Sequence, residues 1–175
     1  MAQQRDASQF PNAVSQNGVV AGAEAYTVEA KVKEVFHVNV TEEGFFPIEL
    51  SVSNDTDARV LIERGRIQLI SNAGSSVYPI PSTAMADEFE KNKMAYALLG
   101  FGIFSYMSAE EANRKMAADW SSKELPSETI IQPGRRASGF IYVKLPKGTS
   151  PQGMELVVTI DRLEARRTDQ VRIRL

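Results

Sequence analysis

Few residues here have the types and spacing for chemistry. His37 is the single imidazole and the chain holds no cysteine. Disulfides, thiolate ligands and cysteine nucleophiles are therefore excluded, as is any site needing two imidazoles within one chain. Carboxylates gather at Glu42-Glu43, Asp55/Asp57, Asp87/Glu88/Glu90 and Glu110-Glu111. Two carboxyl groups facing across a cleft can hydrolyse a glycosidic bond. The first two groups, however, sit among turn residues. The last two sit at helix starts, where capping and the helix dipole account for them. Asp55-x-Asp57 could seed a calcium loop but lacks the remaining ligands. A metal site at His37 would draw on Glu42 and Glu43, a weak pattern. His37 lies on the polar side of an alternating segment and is expected to be solvated, since a general base needs an oriented partner. Gly100-Phe101-Gly102 lacks the further glycine and preceding strand of a dinucleotide fingerprint, and no Gly-x-Ser-x-Gly occurs. No catalytic, cofactor or metal residue is assigned.

Charge is the one feature that departs from the average. The net charge is −2, but residues 1–133 carry −7 and residues 134–175 carry +5. Arg162, Arg166, Arg167, Arg172 and Arg174 crowd the last two expected strands and form the candidate interaction surface. They either pair with acids of the neighbouring strand or present a cationic face to anionic lipid, a polysaccharide or an acidic envelope protein. Aromatic residues do not interleave with them, so nucleic acid is not an expected partner.

These residues need a frame. At 175 residues with 43% apolar content the chain is one domain's worth and can bury a core unaided. Residues 1–24 show no sustained period and are expected to form a flexible tether before a domain at 25–175. No basic segment followed by an apolar run opens the chain, so no signal peptide is expected within it. Tyr26 to Thr41 alternates, with Val28, Ala30, Val32, Phe36, Val38 and Val40 on one face, which predicts a long strand bulged at Glu34-Val35. Phe46, Ile48, Leu50 and Val52 predict a second strand, and Ser53 to Asp57 a turn. Further strands are expected at Arg59–Ile62, Arg66–Ser71, Ser76–Ile80, Glu128–Gln132, Ser138–Leu145, Met154–Ile160 and Val171–Leu175. Ser138–Leu145 is apolar on both faces, the mark of a central strand or of one lying under helices.

Between the strands lies an expected helical insertion at about 82–124, packing on a sheet or closing one end of a barrel. Ser82–Lys93 has helix formers. Met94 to Ser108 is uncharged for fifteen residues, with Leu98, Leu99, Phe101, Ile103, Phe104 and Tyr106 among them. A membrane span needs about 20 residues, so this stretch is expected to be a buried helix, or else a patch covered by a partner or membrane. Ser108-Ala109-Glu110-Glu111 matches a capping box. Ala109, Ala112, Met116 and Trp120 follow on one helix face.

Three stretches also carry a resemblance: Ile48–Val60 with its Asn54-Asp55 turn, Ile67–Ile80 with Gly74 and Tyr78-Pro79, and Ile131–Val143 with Pro133-Gly134 and Gly139-Phe140. Together, over about residues 46–160, they resemble the immunoglobulin-like β-sandwich domains of uncharacterised bacterial cell-envelope lipoproteins. The resemblance implies a mainly β fold, an immunoglobulin-like antiparallel sandwich with the helical insertion between strands. It implies a non-enzymatic structural or binding protein on the periplasmic side or surface of the envelope. Its lipid-carrying cysteine would lie upstream of residue 2. Cytoplasmic residence is the alternative. The rival functions are a membrane-surface protein using residues 94–107 and the arginines, and a carboxylate-dependent hydrolase.

Overall fold

The computed structural model describes residues 5–92 and 109–175. Two antiparallel sheets face each other. The first has the order β1 (Val14–Gln16), β2 (Val19–Ala25), β3 (Phe45–Asn54) and β8 (Arg135–Lys144). The second is built around β9 (Glu155–Arg162). One edge of β9 pairs along its whole length with β10 (Arg167–Arg174). The other edge pairs with β4 (Val60–Glu63) and then β5 (Gln68–Ile70), two pieces of one line broken by a 3-10 turn at Arg64–Arg66. β7 (Glu128–Ile131) flanks β4, and β6 (Ser76–Val77) flanks β5.

Period-2 patterning explains the main core. Ile48, Leu50 and Val52 of β3 and Ile141 and Val143 of β8 meet Val60, Ile62, Leu156, Val158, Ile160, Val171 and Ile173 of the second sheet. Part of the opposite parity of β3 and β8 is apolar too, where helices cover the outer face of the first sheet. Phe45, Phe140 and Tyr142 pack there against α1 (Glu29–Phe36), α2 (Ser82–Asn92) and α3 (Ala109–Lys123). Phe36 meets Phe140 edge-on at 5.0 Å, and Phe89 meets Trp120 at 5.7 Å. The Tyr142 hydroxyl donates to the Trp120 carbonyl at 2.8 Å. β8 thus lies under the helices, at the edge of its sheet rather than its centre.

Two expectations fail. The tether expected at 1–24 is, from Arg5 onward, part of the fold. Asp6 caps a 3-10 turn at Ala7–Gln9, and Ala7 and Phe10 are buried on the first sheet. Asn17-Gly18 forms a two-residue hairpin turn with φ of 52° and 78°, the left-handed pair that joins twisted strands without splaying them. At Gly22 the first sheet admits the turn, since a Cβ there would stand 2.6 Å from the Ala7 carbonyl oxygen.

The strand expected at Tyr26–Thr41 is also absent. Glu29–Phe36 is helical, and Val40–Glu43 is a 3-10 turn. Val32 and Phe36 stand four apart and share the buried helix face, while Lys33 bonds Glu29 one turn back. His37 therefore sits at the helix C-terminus, half-buried, with φ of 66°, not on a strand's solvent face. The apolar stretch Met94–Ser108, with Gly100-Phe101-Gly102 and the serine of the capping box, lies outside the described residues.

Candidate interaction surface

β10 alternates strictly, burying Val171 and Ile173 and turning Arg172 and Arg174 outward. The five candidate arginines, spread over β9, β10 and the turn between them, are not a free cationic face. Arg162 donates through Nε to Asp169 at 2.6 Å and through Nη2 to the Asn17 carbonyl at 2.6 Å. The Arg162 and Asp169 side chains are 11% and 6% exposed, so this pair seals one end of the core. Arg167 also reaches Asp169, at 2.8 Å, and Arg172 reaches Glu155 at 2.6 Å. The hydrogen bond from Arg162, with the charge of Arg167 beside it, holds the Asp169 carboxyl below its ordinary range. Arg166, in the β9–β10 turn, and Arg174 are exposed and make no ion pair among the described residues.

Folding also undoes the charge segregation along the chain. Acids of the first part reach bases of the last: Asp6 to Arg136 at 3.0 Å, Glu43 to Lys147 at 3.1 Å, and Glu88 to Lys144. The other acidic groups stay apart. Glu42 accepts from Asn39 in a 3-10 turn, Asp55 and Asp57 occupy the β3–β4 turn, Asp87 lies on α2, and Glu110 and Glu111 open α3. Among the described residues, no group of three or more His, Asp and Glu is placed to hold a metal.

Two charged centres have no counterpart in the sequence reading. Glu24 and Glu49 stand directly opposite each other on β2 and β3. Like charges so placed repel. The Arg5 guanidinium lies between them, 2.5 Å from Glu24 and bonded to Glu49, with its other face 4.1 Å from the Phe10 ring centroid. Tyr26 donates its hydroxyl to Glu49 at 2.8 Å, and Lys31 reaches Glu24 at 2.5 Å. Burial opposes the Arg5 charge, but the bonds to Glu49 and Glu24 outweigh it and hold the guanidinium more firmly protonated. Burial also pushes the Glu24 carboxyl up, and the bonds from Lys31 and Arg5 bring it below its usual value. The Tyr26 hydroxyl is pushed up by burial and then by donation to Glu49, which keeps it a donor.

The second centre is Glu124, just after α3. It accepts from Arg64 at 2.7 Å and from the backbone and hydroxyl of Ser82 at 2.9 and 2.8 Å. One carboxylate thus fastens the start of α2, the end of α3 and the broken strand β4–β5. Strand parity in the sequence points Glu49 away from the main core. It carries no trace of what covers that face, because Arg5 lies 44 positions from Glu49; Ser82 likewise lies 42 from Glu124.

Beside the Arg5 centre, two shallow depressions of about 470 and 430 Å³ open at one end of the sandwich. The β2–α1 connection, the 3-10 turn before β3 and the β8–β9 loop form the first.

These elements define a mainly antiparallel β protein of two facing sheets, consistent with a β-sandwich, with helices on one outer face. The chain is similar to the yjhA protein from Bacillus subtilis, at 12% identity and TM-score 0.47, over 93% of this chain and 96% of that one. It is similar to a FixG-related protein from Vibrio parahaemolyticus, at 8% identity and TM-score 0.40, over 91% and 98%. A functionally unknown protein from Listeria monocytogenes EGD-e is similar at 14% identity and TM-score 0.41, over 93% and 80%. No family model and no curated protein matches the chain.

Proposed function

We propose that this chain is a non-catalytic structural or binding domain of a bacterial cell envelope. Its sandwich is immunoglobulin-like, the segment at about 82–124 is an insertion between two of its strands, and an upstream lipid-carrying cysteine anchors the full-length protein. One observation carries the non-catalytic part: among the described residues, the most buried carboxyl groups are each matched by the chain's own cations. Arg5 lies between Glu24 and Glu49, Arg64 meets Glu124, and Arg162 meets Asp169. Acid–base hydrolysis needs a raised carboxylic acid facing a free carboxylate. Asp169 and Glu24 are instead held low. The envelope location is supported by the sequence resemblance over about residues 46–160.

The test is fractionation of cells expressing the intact native gene with a C-terminal epitope. The proposal expects the protein in the membrane fraction, released by detergent and not by salt. Recovery in the cytosolic fraction would overturn it.

A further inference from the structure

The two depressions share Thr27, Val28 and Gln152 and form one trough, divided where the Gln152 side-chain amide donates to the Thr27 hydroxyl at 3.2 Å. The larger chamber has an unusual lining. Its polar side chains are Thr27, Thr41, Thr149, Ser150 and Gln152, hydroxyls and one amide, with no acid, lysine or arginine among them. Its apolar surface includes Val28, which is 62% exposed. The smaller chamber is lined by Arg5, Glu24 and Lys31, which pair with one another, and Lys147, in the loop of the larger one, pairs with Glu43.

The walls are held by backbone bonds. Leu145 N–H donates to the Gly44 carbonyl at 2.9 Å, Gly44 N–H to Thr41 at 3.0 Å, and Thr149 N–H to Pro146 at 3.0 Å. A Cβ on Gly44, whose φ is 83°, would stand 2.4 Å from the Leu145 oxygen, so the two loops close only around glycine. The chamber is thus largely preformed.

We infer that the larger chamber binds a neutral, polyhydroxylated ligand, a short glycan segment. Hydroxyls and amides both donate and accept, which matches sugar hydroxyls that do the same. Val28 and Pro146 offer apolar surface to the C–H face of a ring. Chambers of this volume fall in the range of small-molecule sites. An extended peptide fits less well, because the larger chamber's polar side chains come from loops and turns and present no unpaired strand edge on which to add a strand. The inference deepens the reading of the chain as a binding domain and is independent of its location, so fractionation and sugar titration can fail separately.

The test is titration of the isotope-labelled intact chain with cellotetraose, maltotetraose and chitotetraose, followed by amide NMR shifts. At least one sugar is expected to give saturable shifts at Thr27, Thr41, Thr149, Ser150 and Gln152. Raising the salt tenfold should leave the affinity unchanged, since no charge lines the chamber. Thr149→Val, which keeps the side-chain shape in an exposed loop, should weaken binding about tenfold at an unchanged melting midpoint. Ser150→Ala serves as the second variant if the first unfolds. Absence of saturable shifts, shifts centred on Arg166 and Arg174, or unaltered binding by both variants would overturn the inference. So would the same amides shifting with a neutral Ser-Asn tetrapeptide and not with sugar.

Discussion

At Arg5 one side chain reconciles two carboxylates that the sheet sets face to face. Removing it leaves Glu24 and Glu49 opposed beneath Phe10, with Glu49 only 10% exposed. Arg5→Ala is expected to lower stability by about 2 kcal/mol, less than a fully buried pair because Arg5 is partly solvated. Adding Glu49→Gln to that variant should restore part of the loss, since the two effects are coupled. Urea denaturation midpoints of the wild type, Glu49→Gln, Arg5→Ala and the double variant check this. The same centre and Asp169 contribute to the acid limb of the stability curve, as do Asp6, Asp161 and Glu164, which are also held low. Both Glu24 and Asp169 are depressed in the folded state, so their contribution is full above the unfolded carboxylate value of about 4. It is lost as pH falls below that value through the depressed native ones. Asp169→Asn should flatten the fall in stability below about pH 4 and leave the slope between neutral pH and that point unchanged, read by melting midpoints across pH.

Among the elements, legibility follows what covers each face. β3 and β9 were readable because one face meets the opposite sheet and the alternation records it. β8 was readable as apolar on both faces, for it lies between that core and the helices. Tyr26–Thr41 misled because Val28, Ala30, Val32 and Phe36 satisfy period 2 while Val32 and Phe36 also satisfy a spacing of four. The helix-forming charges Glu29, Lys31, Lys33 and Glu34 were the better guide. The Asn17-Gly18 hairpin was visible as a dipeptide flanked by β-formers, but the lack of a sustained period, with Pro11 and Gly18 as interruptions, made the segment look like a tether. That turn is expected to be intolerant. Gly18→Ala meets both a φ of 78° and Thr56, whose methyl would lie 2.9 Å from the new Cβ, and should cost about 1–2 kcal/mol. In the helical layer, Trp120 is fully buried between Phe89 and the sheet. Trp120→Ala should cost about 3–5 kcal/mol by lost transfer and cavity formation, measured by chemical denaturation.

For the whole molecule, the linear asymmetry of charge does not survive folding. Six of the nine cations after residue 133 meet an acid, three of them with acids from the acidic first part. The sequence could show that the charges were unevenly placed. It could not show their partners, since Asp6–Arg136 and Glu88–Lys144 bring together residues 130 and 56 positions apart. A surface so neutralised steers anionic partners weakly. On the proposed reading, neutral contacts and not the arginines carry recognition by this chain. Co-sedimentation with vesicles rich in anionic phospholipid, at low ionic strength, tests that most directly. No salt-reversible sedimentation of the wild-type chain is expected. Sedimentation that salt reverses and that Arg166→Ser with Arg174→Ser abolishes would contradict it.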